Sequence, residues 1–387
     1  MERLKEEQND NVISADLYHP MILDERFHNS WLVNDCPNII DLLKWKLFGN
    51  DKSCIPDKKI LDETLPIIMP YFINNLTELR DHQVEVTWLG HSTLLIYLDG
   101  IFILTDPIFS EYSSPIAHLG PKRYRKIPCT VEQLPNIHAV IISHSHFDHL
   151  DLPSIKDLHK KFGMNLKWFV PKNMKCWLIE NAFYSDITYL PLIFIKNKSN
   201  DSKSKTFFTN IYDMTWWQRE KFSFTSKDNL QENIQIEFTL LPAQHWCKRT
   251  LNDENKMLWG SWAIKSRHPS SPASNKSVYF AGDTGFHAPL FEQISRLMGP
   301  FDFCAIPIGA YEPRWLTKYN HVNPEEAVEI HKILKSRRSL AIHWGTFVMT
   351  DEFYLEPRDR LEEIKKQLKM SPDEFFTLKH GETKILD

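Results

Sequence analysis

The run Ser143-His144-Ser145-His146-Phe147-Asp148-His149-Leu150-Asp151 follows directly on the apolar stretch Ala139-Val140-Ile141-Ile142, and this juxtaposition constrains the chain more than any other feature. A short apolar run that breaks into polar residues reads as a buried strand opening into a loop. In an extended loop, positions two apart point the same way, so His144 and His146 can close on one ion while Asp148 and His149 face a second. Imidazole and carboxylate suit Zn²⁺, and two such ions held about 3.5–4 Å apart form a hydrolytic clamp. A fold that uses this loop must bring further ligands to it from elsewhere in the chain.

Three candidates have the required placement. His245 follows Thr239-Leu240-Leu241-Pro242, Asp283 follows Tyr279-Phe280-Ala281-Gly282, and His343 follows Leu340-Ala341-Ile342. A lone histidine is more often a satisfied polar residue than a ligand. The shared position, each at the end of an apolar run, reverses that expectation. Asp283 is the natural bridge, because a carboxylate offers one oxygen to each ion.

Composition narrows the function. The net charge of −4 supplies no positive field to recruit nucleic acid, which argues against a nuclease and against a nucleic-acid partner. Twelve Trp and 24 Phe suit an apolar pocket or a lipid-facing surface. The six cysteines, Cys36, Cys54, Cys129, Cys176, Cys247 and Cys304, form no CxxC pair and read as reduced thiols of a cytosolic compartment. Residues 1–16 are too polar for a signal peptide, and no apolar run reaches the roughly 18 residues of a spanning helix. The expected location is intracellular, cytoplasmic or peripheral on the cytosolic face of a membrane.

Strand patterns begin at Val84, with a hairpin opening over 84–104 and a turn at Asp99-Gly100. Short apolar runs continue at 139–143, 168–170, 236–241, 261–264, 278–281, 302–306 and 340–342. Helical patterns are clearest at 324–335 and 358–369, the first with Asn323 as N-cap, Pro324 at the first helical position and Glu326 in the capping box. Strands mixed with helices over this length indicate a layered α/β or α+β domain at residues 81–387, preceded by an extension at 1–80. In that extension, 39–48 carries an apolar helical face and 65–72 is an uncharged stretch broken by Pro66 and Pro70. Core packing and lipid contact are about equally expected for both. Leu43 and Trp45 are the candidate lipid-contacting residues. The hydrophilic runs 196–205 and 268–276 read as mobile surface insertions.

The HxHxDH run followed by a distant His, Asp and His resembles the metallo-β-lactamase superfamily, which implies an αββα sandwich with metals at one edge. Longer strings resemble the N-acyl-phosphatidylethanolamine-hydrolysing phospholipase D family: Gly120-Pro121-Lys122-Arg123-Tyr124-Arg125, Gln244-His245-Trp246-Cys247-Lys248-Arg249-Thr250, Leu258-Trp259-Gly260-Ser261-Trp262, Pro307-Ile308-Gly309-Ala310-Tyr311-Glu312-Pro313-Arg314-Trp315 and Ala341-Ile342-His343-Trp344-Gly345-Thr346-Phe347. They cover roughly residues 80 to 357. The N-terminus and the longer segment at 196–205 depart from the family.

The resemblance implies a phosphodiesterase that acts on a membrane phospholipid, releasing an N-acylethanolamine and leaving phosphatidic acid. It implies two Zn²⁺, one held by His144, His146 and His245, the other by Asp148, His149 and His343, with Asp283 bridging. Asp148 and Asp283 are then catalytic through the metals. His321 resembles a family histidine that binds phosphate or protonates the leaving alkoxide; a plain packing role beside the helix at Pro324 is its structural alternative. Peripheral membrane association follows from the substrate, and homodimerisation is left open. Two rival readings keep the same ligands: a hydrolase of another substrate, such as a lactonase or thioesterase, and a catalytically silent lipid-binding paralogue.

Overall fold

The computed structural model describes residues 2–3, 17–32, 40–41, 44–45, 52–73, 84–116, 118–183, 208–225, 233–269 and 271–386. Two sheets stack face to face. One has seven strands in the order Thr383–Leu386, Val84–Gly90, Thr93–Leu98, Ile101–Thr105, Ala139–Ile141, Lys167–Pro171, Ile211–Met214. The other has eight, in the order Glu2–Arg3, Arg219–Thr225, Asn233–Leu241, Ser261–Arg267, Lys276–Phe280, Phe303–Pro307, Arg338–Ile342, Phe375–Phe376. Each begins with antiparallel pairs and passes into parallel ones joined by crossovers.

Alternation along the strands of the first sheet divides their side chains between two layers. Val86, Trp88, Leu94, Ile96, Ile103 and Ile141 point into the space between the sheets. Leu95, Leu104, Val140, Ile142, Trp168 and Val170 point outward, under the helices Leu152–Phe162 and Met174–Asn181. Because both faces are covered, the central strands Thr93–Leu98, Ile101–Thr105 and Ala139–Ile141 carry no charged side chain. Helices Ala288–Met298, Pro324–Ile333 and Glu356–Leu368 belong to the larger core, that of the second sheet. The result is the expected αββα sandwich.

The helix at Pro324 starts as the sequence indicates: Asn323 accepts from the Glu326 backbone N–H while the Glu326 side chain accepts from that of Asn323. The helix expected at 358–369 begins two residues earlier, at Glu356. The run 268–276 falls in the connection between strands Ser261–Arg267 and Lys276–Phe280; its described residues after His268 are exposed or half-buried, as a surface segment requires, while His268 itself is buried with Nε2 3.0 Å from Asp99 Oδ2. Polar composition alone does not distinguish a free loop from one whose polar groups are paired inside. Cys54, Cys129, Cys176, Cys247 and Cys304 are free thiols, as expected; Cys36 and residues 196–205 lie outside the described residues.

The N-terminal extension is partly built into the core. Leu61, Leu65 and Phe72 are buried, whereas Ile68, Met69 and Tyr71 between them are exposed. Farther upstream, the backbone N–H of Phe27 donates to Asn255 O at 2.8 Å, and the Asn29 side chain donates to His245 O at 2.9 Å.

Candidate metal centre

The candidate ligands, together with His91 and Asp106, follow strands at the same edge of the sandwich. His91 ends the Val84–Gly90 strand, Asp106 ends Ile101–Thr105, and the 143–149 loop ends Ala139–Ile141. From the second sheet, His245 follows Asn233–Leu241, Asp283 follows Lys276–Phe280, and His343 follows Arg338–Ile342. Three of these turns hold a non-glycine residue in the left-handed region: His91 at φ 54°, Asp106 at φ 33° and His343 at φ 61°. Such conformations persist only where the surrounding structure enforces them, and they gather at functional sites.

The seven predicted ligands converge. His144, His146 and His245 bring ligand atoms within 4.8 Å of one another, and so do Asp148, His149 and His343 together with His91. Hydrogen bonds fix which nitrogens face inward. Ser143 Oγ donates to Asp106 Oδ2 (2.5 Å) and therefore accepts from His144 Nδ1 (2.9 Å), and His245 Nδ1 donates to Asn320 O (3.0 Å). His144 Nε2 and His245 Nε2 are left with their lone pairs directed at His146 Nδ1, at 2.9 and 3.3 Å. His149 Nδ1 donates to Asp106 Oδ2 (2.7 Å), turning its Nε2 toward Asp148 Oδ2 (3.3 Å) and Asp283 Oδ2 (3.2 Å). Asp283 stands between the two sets: its Oδ2 lies 3.8 Å from both His144 Nε2 and His245 Nε2, and its Oδ1 lies 3.1 Å from His343 Nε2.

A metal fits this arrangement better than hydrogen bonding does. His149 Nε2, His343 Nε2 and Asp283 Oδ1 are buried, and none has a hydrogen-bond partner among the described residues. Buried polar atoms are almost always satisfied, and orphans that point at one another mark the place of an absent electrophile. Imidazole nitrogens and carboxylate oxygens gathered in this way are the donor set of a borderline-soft divalent cation, which displaces the protons they hold in its absence. The carboxylate of Asp106 behind His149, and the carbonyl of Asn320 behind His245, are the outer partners such ligands need.

The electrostatics differ between the two halves. Burial, with mutual repulsion, keeps His144 and His245 neutral and pushes His146 down to about 4. Burial also opposes charge on His149 and His343. There the Asp283 and Asp148 carboxylates prevail, raising His149 well above the usual histidine range and His343 to about 9. In turn, although burial opposes their charge, both carboxyls are held well below the usual carboxylate range by neighbouring imidazoles, His149 foremost.

His321 stands at the mouth of the site. Its side chain keeps 19% of its surface, Nδ1 lies 3.9 Å from Asp283 Oδ2 without a hydrogen bond, and burial pushes it down to about 4. Arg249 braces the ligand loop from outside, donating from Nη1 to Ser145 O (2.7 Å) and Leu150 O (2.8 Å), with its guanidinium over the rings of Phe147 and Trp177. Trp45 is half-buried, and its indole donates to Asp351 Oδ2 at 2.8 Å. Leu43 lies outside the described residues.

Two partners escape the sequence reading. Asp106 orients His149, and His91 Nε2 lies 2.9 Å from Asp148 Oδ2. Both follow a strand immediately, a placement close to that which singles out His245, Asp283 and His343.

Residues 102–344 match the family described as Beta-lactamase superfamily domain. The chain is 37% identical to N-acyl-phosphatidylethanolamine-hydrolyzing phospholipase D 1 of Caenorhabditis elegans, over 89% of this chain and 87% of that one. It is 29% identical to the mitochondrial N-acyl-phosphatidylethanolamine-hydrolyzing phospholipase D of Saccharomyces cerevisiae, over 93% of this chain and 76% of that one. Among solved structures, a possible metal-dependent hydrolase from Veillonella parvula superposes with a TM-score of 0.51 at 14% identity, covering 78% of this chain and 99% of that one.

Proposed function

The chain belongs to the β-lactamase superfamily and, within it, to the family of N-acyl-phosphatidylethanolamine-hydrolysing phospholipases D, and from that premise we propose that it hydrolyses N-acyl-phosphatidylethanolamine to an N-acylethanolamine and phosphatidic acid with two Zn²⁺. The observation that carries this reading is the pair of three-ligand sets with Asp283 within 4 Å of both. Two zinc ions bound there would activate water near neutral pH and stabilise charge on the phosphoryl oxygens.

The protein's own groups then do the rest. His144, His146 and His245 would hold one ion, and Asp148, His149 and His343 the other, with Asp283 shared. The orientations of His144, His245 and His149 are set in advance by Ser143, Asn320 and Asp106, which leaves less reorganisation for the moment of reaction. His321 is neutral, its buried Nδ1 has no hydrogen-bond partner among the described residues, and its ring keeps 19% of the side-chain surface at the mouth, where a phosphate oxygen or the departing alkoxide would lie. No side chain need act as a nucleophile. A lactonase or thioesterase could use the same ligands, but the similarity to phospholipases D over most of the chain favours a phosphodiester.

Mass spectrometry of lipids released from mixed vesicles, run in water enriched with heavy oxygen, tests the reading. The expected products are N-acylethanolamine and labelled phosphatidic acid, from cleavage between phosphorus and the head-group oxygen. Label in the N-acylethanolamine would mean C–O cleavage, and absence of both products would return the chain to another substrate class.

A further inference from the structure

The turn Gly90-His91-Ser92 joins two antiparallel strands, and its middle residue is a histidine in the left-handed region, preceded by Gly90 at φ 109°. Glycine would occupy such a position at least cost, so a bulky ring there calls for a use. The ring is buried, at 1% exposure, and its Nε2 comes 2.9 Å from Asp148 Oδ2.

The backbone of the same residue is tied to the opposite sheet. His91 O accepts from the backbone N–H of His343 at 3.1 Å and from Trp88 Nε1 at 2.9 Å, while His91 N donates to Thr346 Oγ1 at 2.8 Å. One residue therefore grips two members of a single ligand set, Asp148 through its ring and His343 through its carbonyl.

Three imidazole nitrogens approach Asp148 Oδ2, and they are not equivalent. His149 Nε2 at 3.3 Å and His343 Nε2 at 3.5 Å have no hydrogen-bond partner, whereas His91 Nε2 is closer and hydrogen-bonded. A carboxylate oxygen has two in-plane lone pairs. If His91 occupies one, the other is left for the space that His149 and His343 face. With Asp283 shared, that space already has four ligand residues, the full complement of a tetrahedral ion.

We propose that His91 is a positioning residue for the second ion, donating Nε2–H to Asp148 Oδ2 so that the carboxylate presents its remaining lone pair toward His149 and His343. His91 does not touch the ion itself. The inference rests on the two-ion reading above, and the test separates the two.

The experiment compares the full-length protein with His91→Gly and His91→Gln, each stripped of metal, titrated with Zn²⁺ against a chromophoric chelator, and examined by the absorption spectrum of its Co²⁺ form. Glycine suits the left-handed backbone, so loss of the ring is not confounded with strain. Glutamine restores an N–H donor near the position of Nε2. The wild type should bind two ions. His91→Gly should bind one as tightly as the wild type and the other about 10–100-fold more weakly. His91→Gln should recover most of that loss with an unchanged Co²⁺ spectrum, and its result decides the matter if His91→Gly does not fold. Two ions at wild-type affinity in His91→Gly would overturn the assignment, as would a His91→Gln protein that binds weakly with an altered Co²⁺ spectrum, which would make His91 a ligand. A wild type that binds one ion would overturn the two-ion reading, and this assignment with it.

Discussion

Asp148 and Asp283 are buried carboxylates whose charge is supported by the imidazoles around them, and each is close to isosteric with asparagine. Asp148→Asn and Asp283→Asn should each lower phosphodiester cleavage at least about 100-fold, with loss of metal measured by elemental analysis and little change in circular dichroism. His321 gives the contrast: His321→Ala should lose rate while retaining the full metal content, because the two three-residue sets and Asp283 already supply the ligands of both proposed ions. Metal loss in that variant would move His321 into the ligand set. The electrostatics carry a separate prediction. In the stripped protein at pH 7.5, His343, raised to about 9, holds a proton, and a ligand nitrogen must give its proton up. Metal binding should therefore release protons at pH 7.5, and fewer as the pH rises through 9; calorimetry in buffers of different ionisation enthalpy reads this directly. The seven candidate ligands that the structure brings together were legible in the sequence because each lies in the HxHxDH loop or closely follows an apolar run. Asp106 and His91 meet the same condition, but they act on ligands across the sheet, at 2.7 Å from His149 and 2.9 Å from Asp148, and such a pairing has no expression in local spacing.

The strands that lead to candidate ligands are recognisable because burial on both faces leaves near-continuous apolar text, as in Ala139–Ile141 and the end of Arg338–Ile342. The helices Leu152–Phe162 and Ala288–Met298 are less evident: they bury one stripe only, and the first is headed by Asp151, whose carboxylate also accepts from Ser110 in the neighbouring loop. Terminal offsets, such as the helix starting at Glu356, reflect caps set by tertiary contacts more than by sequence. Between strand and ligand, Gly282 is the element on which Asp283 depends. Its φ is +59°, and a Cβ added there would come within 2.5 Å of the Ser143 Cβ, the residue that connects Asp106 to His144. Gly282→Ala should therefore cost about 1–3 kcal/mol by overpacking, with backbone strain in addition, and should lower metal affinity together with the melting temperature. A variant that melts like the wild type and keeps both ions would show that the two loops yield at no cost.

At the scale of the whole molecule, the proposed function requires the metal edge to meet a substrate that lies in a bilayer. No helix among the described residues is long and apolar enough to cross a membrane, so under the proposed function the enzyme would reach its lipid from the surface. The stretch 65–72 divides accordingly: Leu65 and Phe72 anchor it in the core, while Ile68 at 37%, Met69 at 65% and Tyr71 at 37% exposure face outward. Its backbone is fixed by the Ile68 N–H, which donates to His380 O at 2.8 Å, so the apolar side chains are displayed from a rigid support. Burying such a patch in the interface would contribute about 25 cal/mol per Å² of apolar surface removed from water. Replacing Ile68, Met69 and Tyr71 with serine should weaken co-sedimentation with vesicles and activity on vesicles, and spare hydrolysis of a short-chain soluble phosphodiester. Because none of the three side chains is buried, the melting temperature should fall less than it would for Leu65→Ser or Phe72→Ser. Equal loss on both substrates with a lowered melting temperature would assign the segment to packing, and the lipid-facing surface would then have to be sought elsewhere around the metal edge.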